Sequence, residues 1–367
     1  MNWTRIAAVA TVSVGLIATP VSAATIKLTQ ISTTFNTPIG IDYHEPTNTV
    51  AMSVNYGSGG NPYNFELVAS DGTRTQFSSI SGMSDEVKIA TVRSVARGGS
   101  AQSLAQGFLV GELFTGNGID GEIVRISPNG SSTFTWSLPG AGNGLMRGSL
   151  YVDRTGVYNG DLIVVTTGGE VWRIASSAPA NCATGCTKIA DVNTHLEGVI
   201  TVPNDPIKYG SIAGKIIAGA EGPGLMYVFD ANGFVGTHNL GVAIEDIDLI
   251  QANENFFGVN FGTNKLLGAS ASDFASMVGD ILLTQEFGGG PSGLFRLYWN
   301  GTSLVAESIG LSLGSATPGQ WEHVTFAPAG ILEIPAVPLP ASLLLLGGGV
   351  AMLAARMRLT GATTKPR

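Results

Sequence analysis

The sequence predicts an all-β fold made of many short strands, and three observations lead to this prediction. Fifty of the 367 residues are glycine, and only 13% are Asp, Glu, Lys or Arg. Short runs of Val, Ile, Leu, Phe and Tyr are bounded by Gly, Asn, Asp and Pro, which is the pattern of strands and turns. A unit of four such strands recurs at intervals of about 45 to 55 residues.

The recurring units can be followed along the chain in order. Four regular units occupy residues 39–80, 87–140, 147–192 and 197–241. An irregular fifth unit lies at 245–270 and a sixth at 279–310. Four-stranded units in series cannot bury their own faces, so this order predicts a six-bladed β-propeller over residues 24–335. The irregular fifth unit leaves five or seven blades open.

Two strands that end in turns, "RISPNG" (125–130) and "YVFDANG" (227–233), loosely resemble those of six-bladed lactonase and NHL-repeat propellers. We expect the N-terminal "TIKLTQIS" (25–32) to close the ring by pairing with strands near "HVTFAPAGILEI" (323–334). Such closure would hide sheet edges that otherwise invite aggregation.

The first 23 residues have the three parts of a secretory signal peptide. Arg5 supplies a positive charge, an apolar stretch follows, and the small residues Val21, Ser22 and Ala23 form a cleavage site. We therefore predict that Ala24 is the first mature residue and that the protein is exported.

The C-terminal segment, 336–367, joins a box made of Val337, Pro338, Leu339, Pro340 and Ala341 to an apolar stretch that ends at Ala355 and to a basic terminus. In this order of parts it resembles the PEP-CTERM class of sorting signal, in its VPLPA variant. The resemblance implies an exosortase as processing partner in a Gram-negative bacterium, transient membrane association through the apolar helix, and delivery to the cell surface or extracellular matrix. A plain tail anchor is the alternative, although the 15 apolar residues are fewer than the roughly 17 to 25 that span a bilayer.

Removal of both ends changes the charge balance. The predicted mature part holds all 27 acidic residues but only 14 of the 19 basic ones, a net charge of −13. An acidic surface of this kind excludes nucleic acid as the expected partner and suits cations or uncharged ligands.

The only two cysteines, Cys182 and Cys186, lie in "NCATGC". In an exported protein this spacing predicts a local disulfide, which would stabilise by roughly 2 kcal/mol or less because it encloses few residues.

Three segments place a glutamate directly before an apolar run: "HLEGVITVP", "AIEDIDLI" and "QWEHVTFAP". Each glutamate would stand at the start of the inner strand of a blade; they are Glu197, Glu245 and Glu322. Other polar residues would stand near the end of a second strand; they are Glu112, Glu221, Asn260 and Glu286. Adjacent strands of a blade are antiparallel, so both sets would reach one mouth of the central channel.

Crowded carboxylates repel one another by on the order of 1 kcal/mol per close pair, so this mouth needs a compensating interaction. One solution is a hard cation such as Ca²⁺, held by Glu197, Glu245, Asp246 and Asn260. Carboxyl groups that share protons, or hydrogen bonds from Arg147, are two others. A solvated rim of polar residues without any ligand is the alternative to all three.

By position and residue type, the mouth is similar to that of gluconolactonase-like propellers. This resemblance implies a cation held by Glu197, Asn260 and Asp246, with Glu322 or His323 as the base in lactone hydrolysis.

No G-x-S-x-G, P-loop or H-E-x-x-H motif occurs. We therefore expect a surface or matrix module that binds a cation, a small polar ligand or an extracellular polysaccharide. The residues that would contact a small polar ligand are Glu112, Arg147, Glu221 and Glu286. A Ca²⁺-dependent lactone hydrolase is the alternative.

Overall fold

The computed structural model describes residues 25–57, 62–83, 86–94, 107–116, 121–140, 147–286, 292–313 and 319–330. The chain divides into two compact units, Met1–Leu332 and Glu333–Arg367, and the described residues all belong to the first. The predicted signal peptide (1–23) and the predicted sorting segment (336–367), with its box from Val337 to Ala341, lie outside the described residues.

In this described part, 25 strands form six small sheets. Strand β1 (Thr25–Ser32) belongs to the sixth sheet, and the next sixteen strands form blades 1 to 4 in chain order. Blade 1 contains β2 (Ile41–His44), β3 (Thr49–Ser53), β4 (Phe65–Val68) and β5 (Arg74–Gln76). Blade 2 contains β6 (Ile89–Thr91), β7 (Leu113–Gly116), β8 (Glu122–Ile126) and β9 (Thr133–Ser137). Blade 3 contains β10 (Leu150–Val152), β11 (Leu162–Val165), β12 (Glu170–Ile174) and β13 (Cys186–Asp191). Blade 4 contains β14 (Glu197–Thr201), β15 (Ile216–Ala220), β16 (Leu225–Phe229) and β17 (Val235–Asn239).

The last eight strands form blade 5 and the rest of blade 6. They are β18 (Ile247–Leu249), β19 (Glu254–Asn260), β20 (Lys265–Ala269), β21 (Ile281–Gln285), β22 (Gly293–Trp299), β23 (Leu304–Ser308), β24 (Gly310–Leu313) and β25 (Trp321–Pro328). Blade 5 has the order β18-β21-β22-β23, and blade 6 has the order β25-β19-β20-β1-β24.

The six sheets close into a ring. The inner strands β2, β6, β10, β14, β18 and β25 each contact the next, and β25 contacts β2. The prediction of a six-bladed β-propeller is confirmed, and the alternatives of five or seven blades are wrong.

The division of the chain between blades 5 and 6 differs from the sequence prediction. The hairpin β19-β20 leaves blade 5 after β18 and forms the second and third strands of blade 6. The chain then returns to complete blade 5 with β21, β22 and β23. The strand pattern identifies a hairpin but not the sheet that the hairpin joins, so the units at 245–270 and 279–310 could not be separated correctly from sequence.

The strand pairing that closes the ring also differs from the sequence prediction. Strand β1 lies in the same sheet as β25, as expected, but it pairs with β20 and with β24. The hairpin β19-β20 separates it from β25. The N-terminal strand therefore closes the outer part of blade 6 rather than its inner edge.

Burial follows the position of each strand in its blade. The inner strand β14 is buried along its whole length because both of its faces meet neighbouring blades. The outer strand β17 alternates between exposed and half-buried residues. Between blades 2 and 3, the fully buried Trp136 donates an indole hydrogen bond of 3.0 Å to the main-chain oxygen of Ala178. The core thus consists of apolar layers between adjacent sheets.

Helical structure is limited to short connections. The described residues contain one helix, α1 (Pro206–Tyr209), and 3₁₀ turns at Glu45–Thr47, Gly210–Ile212, Phe261–Thr263 and Ala271–Met277. None of these is long and apolar enough to cross a membrane.

Cys182 and Cys186 form a disulfide bond, with their Cα atoms 5.2 Å apart. The bond spans the turn between β12 and β13 in blade 3, where Cys182 is buried. The bond therefore fixes one turn and joins no separate elements.

Candidate functional site

Six glutamates meet at one end of the central channel: Glu86, three positions before β6, which acts on Glu197, Glu286 and Glu322, and five others from blades 4 to 6. Glu197 is the first residue of β14, Glu322 is the second residue of β25, and Glu245 lies two positions before β18. Glu221 directly follows β15, and Glu286 directly follows β21. Their electrostatic interactions connect them: Glu245 acts on Glu197, Glu286 and Glu322, and Glu221 acts on Glu286.

Lys88, which the sequence reasoning missed, lies among these carboxyl groups. It directly precedes β6 of blade 2, and it is only 1% exposed. Its Nζ atom lies 2.5 Å from Oε1 of Glu245. Burial alone would lower the pKa of Lys88, but Glu245 and Glu197 hold it well above its usual value. We refer to Lys88 and the six glutamates as the acidic mouth.

A signal for Lys88 was present in the repeats. The segment "VKIATV" of blade 2 starts its inner strand as "LEGVITV" does in blade 4. Aligning the two would have placed a lysine where the other blades carry glutamates. The buried ammonium supplies part of the compensation for which sequence analysis considered a metal, shared protons or Arg147.

The carboxyl groups of Glu197 and Glu245 share a hydrogen bond. Burial raises the pKa of Glu197 well above its usual value, and the charge of Glu245 adds to this increase. Burial also acts to raise the pKa of Glu245, but Lys88 and the hydrogen bond from Glu197 outweigh it and lower that pKa. We therefore assign the shared proton to Glu197 and the negative charge to Glu245.

Other carboxyl groups here also favour the neutral form. Burial raises the pKa of Glu286 to about 8, and the charges of Glu245 and Glu221 contribute. Burial raises the pKa of Glu322 well above its usual value, again with a contribution from Glu245. At neutral pH the mouth is therefore less negative than its count of carboxyl groups suggests.

His195 and Arg147 lie at the edge of the mouth. The Nε2 atom of His195 is 3.2 Å from Oε1 of Glu197 and 3.3 Å from the main-chain oxygen of Arg147. Burial lowers the pKa of His195, and the positive charge of Lys88 adds to this effect. Arg147 is exposed, and its main-chain N–H donates a 2.7 Å hydrogen bond to Oγ1 of Thr167. The buried cation of the mouth is thus Lys88, while Arg147 stands at its rim.

His323 occupies a buried position next to Asp246. Its Nδ1 atom accepts a 3.2 Å hydrogen bond from the main-chain N–H of Ile41, so the ring carries its proton on Nε2, which lies 3.6 Å from Oδ2 of Asp246. The same Oδ2 accepts a 2.7 Å hydrogen bond from the main-chain N–H of Val324. Burial lowers the pKa of His323 to about 4 and raises that of Asp246 well above its usual value. These interactions connect blades 5, 6 and 1 beside the mouth.

Asn260 ends β19 in blade 6, as the sequence predicts for the end of a second strand. Its Oδ1 atom accepts hydrogen bonds from Oγ1 of Thr263 at 2.6 Å and from the main-chain N–H of Gly319 at 3.0 Å. The side-chain oxygen of Asn260 is therefore already engaged in holding a turn.

Glu112 is not at the mouth, which corrects the sequence prediction. It directly precedes β7 and so stands at the start of a second strand, at the opposite end of the channel. Its carboxylate pairs with Arg125, with Oε1 2.6 Å from Nη2, and accepts a 2.9 Å hydrogen bond from the main-chain N–H of Leu109. The apolar run "GFLVGELF" has the pattern of a single strand, but its first half is a loop, so the strand begins later than the pattern indicates.

The glycine after Glu197 allows the inner strands of blades 4 and 5 to approach closely. Gly198 has a φ of +35°, and a Cβ atom at this position would lie 2.5 Å from the Cα atom of Asp246. Any side chain here would separate Glu197 from Glu245. The glycine that follows Glu197 in β14 therefore allows Glu197 and Glu245 to lie close together.

Behind the mouth, the channel narrows to an aliphatic collar with one side chain from each blade. The collar consists of Ile41, Ile89, Leu150, Val199, Ile247 and Val324. Beyond it, Oδ2 of Asp42 lies 2.7 Å from Nη2 of Arg154, and Oδ1 of Asp42 pairs with Arg93. Burial alone would raise the pKa of Asp42, but the two guanidinium groups hold it far below its usual range. This buried network joins blades 1, 2 and 3 at the channel.

Three of the glutamates have the spacing that a bound cation requires. Glu197, Glu221 and Glu245 each offer a carboxylate oxygen, and these oxygens all lie within 4.8 Å of one another. Calcium binds oxygen at about 2.3 to 2.6 Å, so two ligands on opposite sides of the ion lie about 4.6 to 5.2 Å apart. Within the described residues this is the one group of His, Cys, Asp and Glu side chains with such spacing. It includes Glu221 in place of the predicted Asp246 and Asn260.

No protein-family model and no curated protein sequence matches this chain. Solved propeller structures do resemble it. Virginiamycin B lyase from Staphylococcus aureus has a TM-score of 0.45 at 12% identity, over 83% of this chain and 96% of that one. A candidate gluconolactonase has a TM-score of 0.44 at 10% identity, over 79% and 95%. The PQQ-bound aldose sugar dehydrogenase from Streptomyces coelicolor has a TM-score of 0.46 at 11% identity, over 80% and 90%. Similarity at these identities concerns the propeller fold alone.

Proposed function

We propose that this protein is a binding module whose acidic mouth holds a divalent cation, with Ca²⁺ as the candidate, or a small polar ligand in the same place. The observation that carries the proposal is the grouping of Glu197, Glu221 and Glu245, whose carboxylate oxygens lie within 4.8 Å of one another. Hard oxygen ligands from flexible carboxylates suit Ca²⁺ better than Mg²⁺, which demands near-ideal octahedral geometry at shorter distances.

Two features of the mouth would keep the affinity modest. Lys88 lies 2.5 Å from Glu245 and would repel a second cation. Glu197 would have to release the proton that it shares with Glu245. We therefore expect a dissociation constant on the order of 0.1 to 1 mM, the range of extracellular calcium modules, with tighter binding as the pH rises.

The test is thermal and chemical unfolding of the purified protein with and without CaCl₂. At 10 mM CaCl₂ and pH 8, such a site would raise the free energy of unfolding by about 1.4 to 2.7 kcal/mol. Glu197→Gln should abolish the gain. Glu307→Gln is the matched control, since Glu307 is exposed on the outer strand β23, and it should leave the gain intact. Equal gains in both variants would contradict a site at the mouth.

The hydrolase alternative needs a base at the mouth, and neither predicted base suits that role. The Nδ1 lone pair of His323 accepts the N–H of Ile41, and burial lowers its pKa to about 4. Glu322 has a raised pKa and accepts a 3.0 Å hydrogen bond from the amide of Gln320. Turnover of a panel of lactones that is lost in Glu197→Gln would nevertheless establish the hydrolase and replace the binding module.

We also propose that the protein is exported and processed by an exosortase, and that it acts at the cell surface or in the extracellular matrix of a Gram-negative bacterium. The support comes from the sequence of the two ends, with the cleavage site before Ala24 and the box from Val337 to Ala341. Extracellular polysaccharide is the proposed macromolecular partner. Mass spectrometry of the secreted protein should find a chain that begins at Ala24 and lacks the apolar stretch 341–355.

A further inference from the structure

Both ends of the described chain lie at the face opposite the acidic mouth. Strand β1 runs antiparallel to β20 and begins at Thr25 on this face. Strand β25 starts at the mouth and ends at Pro328, opposite Glu254 of β19. The described chain therefore ends on this face, and the 37 residues that follow Gly330 in the sequence include the apolar stretch 341–355, Arg356 and Arg358.

Exposed large apolar side chains are concentrated on the same face. The described residues include seven of them, and six lie at loops where inner strands end or outer strands begin; the six are Leu109, Val110, Ile207, Phe234, Val235 and Val278. The seventh, Phe134, lies on the outer strand β9 of blade 2. We call the surface formed by the six residues the exit face.

We propose that the exit face docks on a lipid bilayer while the C-terminal segment is still attached, so that the acidic mouth points away from the membrane. The proposal rests on the proposed export and exosortase processing, for which the sequence resemblance implies transient membrane association through the apolar stretch 341–355. A chain anchored at residue 330 keeps the exit face at high effective concentration near the lipid, so a few apolar side chains suffice for docking.

The shape of the exit face favours a flat occupant. Its residues come from blade 2 (Leu109 and Val110), blade 4 (Ile207, Phe234 and Val235) and blade 5 (Val278), and so surround the channel axis. A bilayer surface can contact side chains on several blades at once. A compact protein partner would be expected to cover a contiguous apolar patch instead.

The residues of the exit face have the character of an interfacial surface. Ile207 on α1 is 92% exposed, so its side chain projects outward and could enter a bilayer without leaving contacts inside the protein. The Nζ atom of Lys215 lies 5.5 Å from the centre of the Phe234 ring, which places a cation beside an exposed aromatic side chain. The carboxylates of Asp205 and Asp230 on the same loops accept hydrogen bonds from main-chain amides. Docking should therefore depend on apolar insertion and occur on neutral phosphatidylcholine.

The experiment uses the full chain reconstituted in phosphatidylcholine liposomes. Ile207→Cys is labelled with an environment-sensitive fluorophore while the native disulfide stays oxidised. Asn239→Cys is the matched control, because Asn239 is exposed and ends the outer strand β17 at the side of the mouth. Nitroxide-labelled lipid should quench the probe at residue 207 by about twofold or more and leave the probe at residue 239 nearly unchanged. Val278→Cys provides a second position, should the label at residue 207 prevent folding.

Flotation of the liposomes separates the possible failures. Protein that does not float with the vesicles would refute the membrane association on which the proposal rests. Protein that floats while the probes at residues 207 and 278 stay unquenched would overturn the docking alone. A blue shift that depends on protein concentration and not on nitroxide lipid would show that a second copy covers the exit face, which also overturns the proposal.

Discussion

The Nζ atom of Lys88 lies 2.5 Å from Oε1 of Glu245, although the two residues belong to blades 2 and 5 of the ring. These blades stand opposite each other in a cycle of six, so the ion pair crosses the channel. Both side chains are almost completely buried, at 0% and 2% exposure. A single lysine thus stabilises carboxyl groups contributed by several blades.

Lys88→Met should lower the free energy of unfolding by about 3 to 5 kcal/mol. The change leaves Glu245 buried without its charged partner, and the loss of one member of a buried pair has this cost. Urea unfolding at pH 7 measures the change. Lys265→Met is the control, because Lys265 is only half-buried at the start of β20 and forms no ion pair among the described residues, so its loss should cost about 1 kcal/mol or less. Similar losses in both variants would show that the ion pair across the channel contributes no more to the free energy of unfolding than a lysine outside the channel does.

Stability should fall as the pH rises from 7 to 9. The folded pKa of Glu286 is about 8, against an ordinary value of 4.5, so between these values the folded protein holds a proton that the unfolded chain has released. Stability from this group is therefore present at low pH and is lost as the pH rises through 8. The folded pKa values of the four histidines are lowered, so these groups oppose the decrease close to pH 7 and cease to do so by about pH 8.

Urea midpoints at pH 7, 8 and 9 test this decrease. The slope from Glu286 should stay below about 1.4 kcal/mol per pH unit, the limit for one proton, because the side chain is only half-buried. Glu286→Gln should flatten the decrease, whereas Glu307→Gln should not. An unchanged slope in Glu286→Gln would assign the titration to another group.

Asp42→Asn should cost about 3 to 5 kcal/mol, because it leaves the buried Arg93 and Arg154 facing a neutral amide. The pKa of Asp42 is held far below its usual value of 3.8, so its contribution is complete above about pH 5 and is lost progressively as the pH falls below that value. The difference between wild type and variant should therefore be constant from pH 5 to pH 8. A difference that shrinks across this range would contradict the assignment.

Reduction of the Cys182–Cys186 bond should have a small effect. The bond closes a loop of very few residues, for which the chain-entropy estimate is about 2 kcal/mol or less, and it fixes a single turn of blade 3. Thermal unfolding of Cys182→Ser/Cys186→Ser should still be cooperative, with the melting temperature lowered by no more than about 4 °C. Loss of folding in this variant would mean that the turn is needed for the ring to close.

The sequence alone determined the all-β class and four complete blades, with six as the expected number, because strand periodicity and turn residues are local properties that repeat along the chain. It also placed Glu197, Glu245 and Glu322 at inner strand starts, since the register of an apolar run fixes which end of a strand a neighbouring residue occupies. Only the tertiary structure decided that β19-β20 belongs to blade 6, that Glu112 lies at the far end of the channel, and that Lys88 reaches Glu245. A strand pattern does not say which sheet a hairpin joins, or where within an apolar run the strand begins. The repeat places Lys88 at the start of an inner strand, but its partner across the channel depends on which blades face each other in the closed ring.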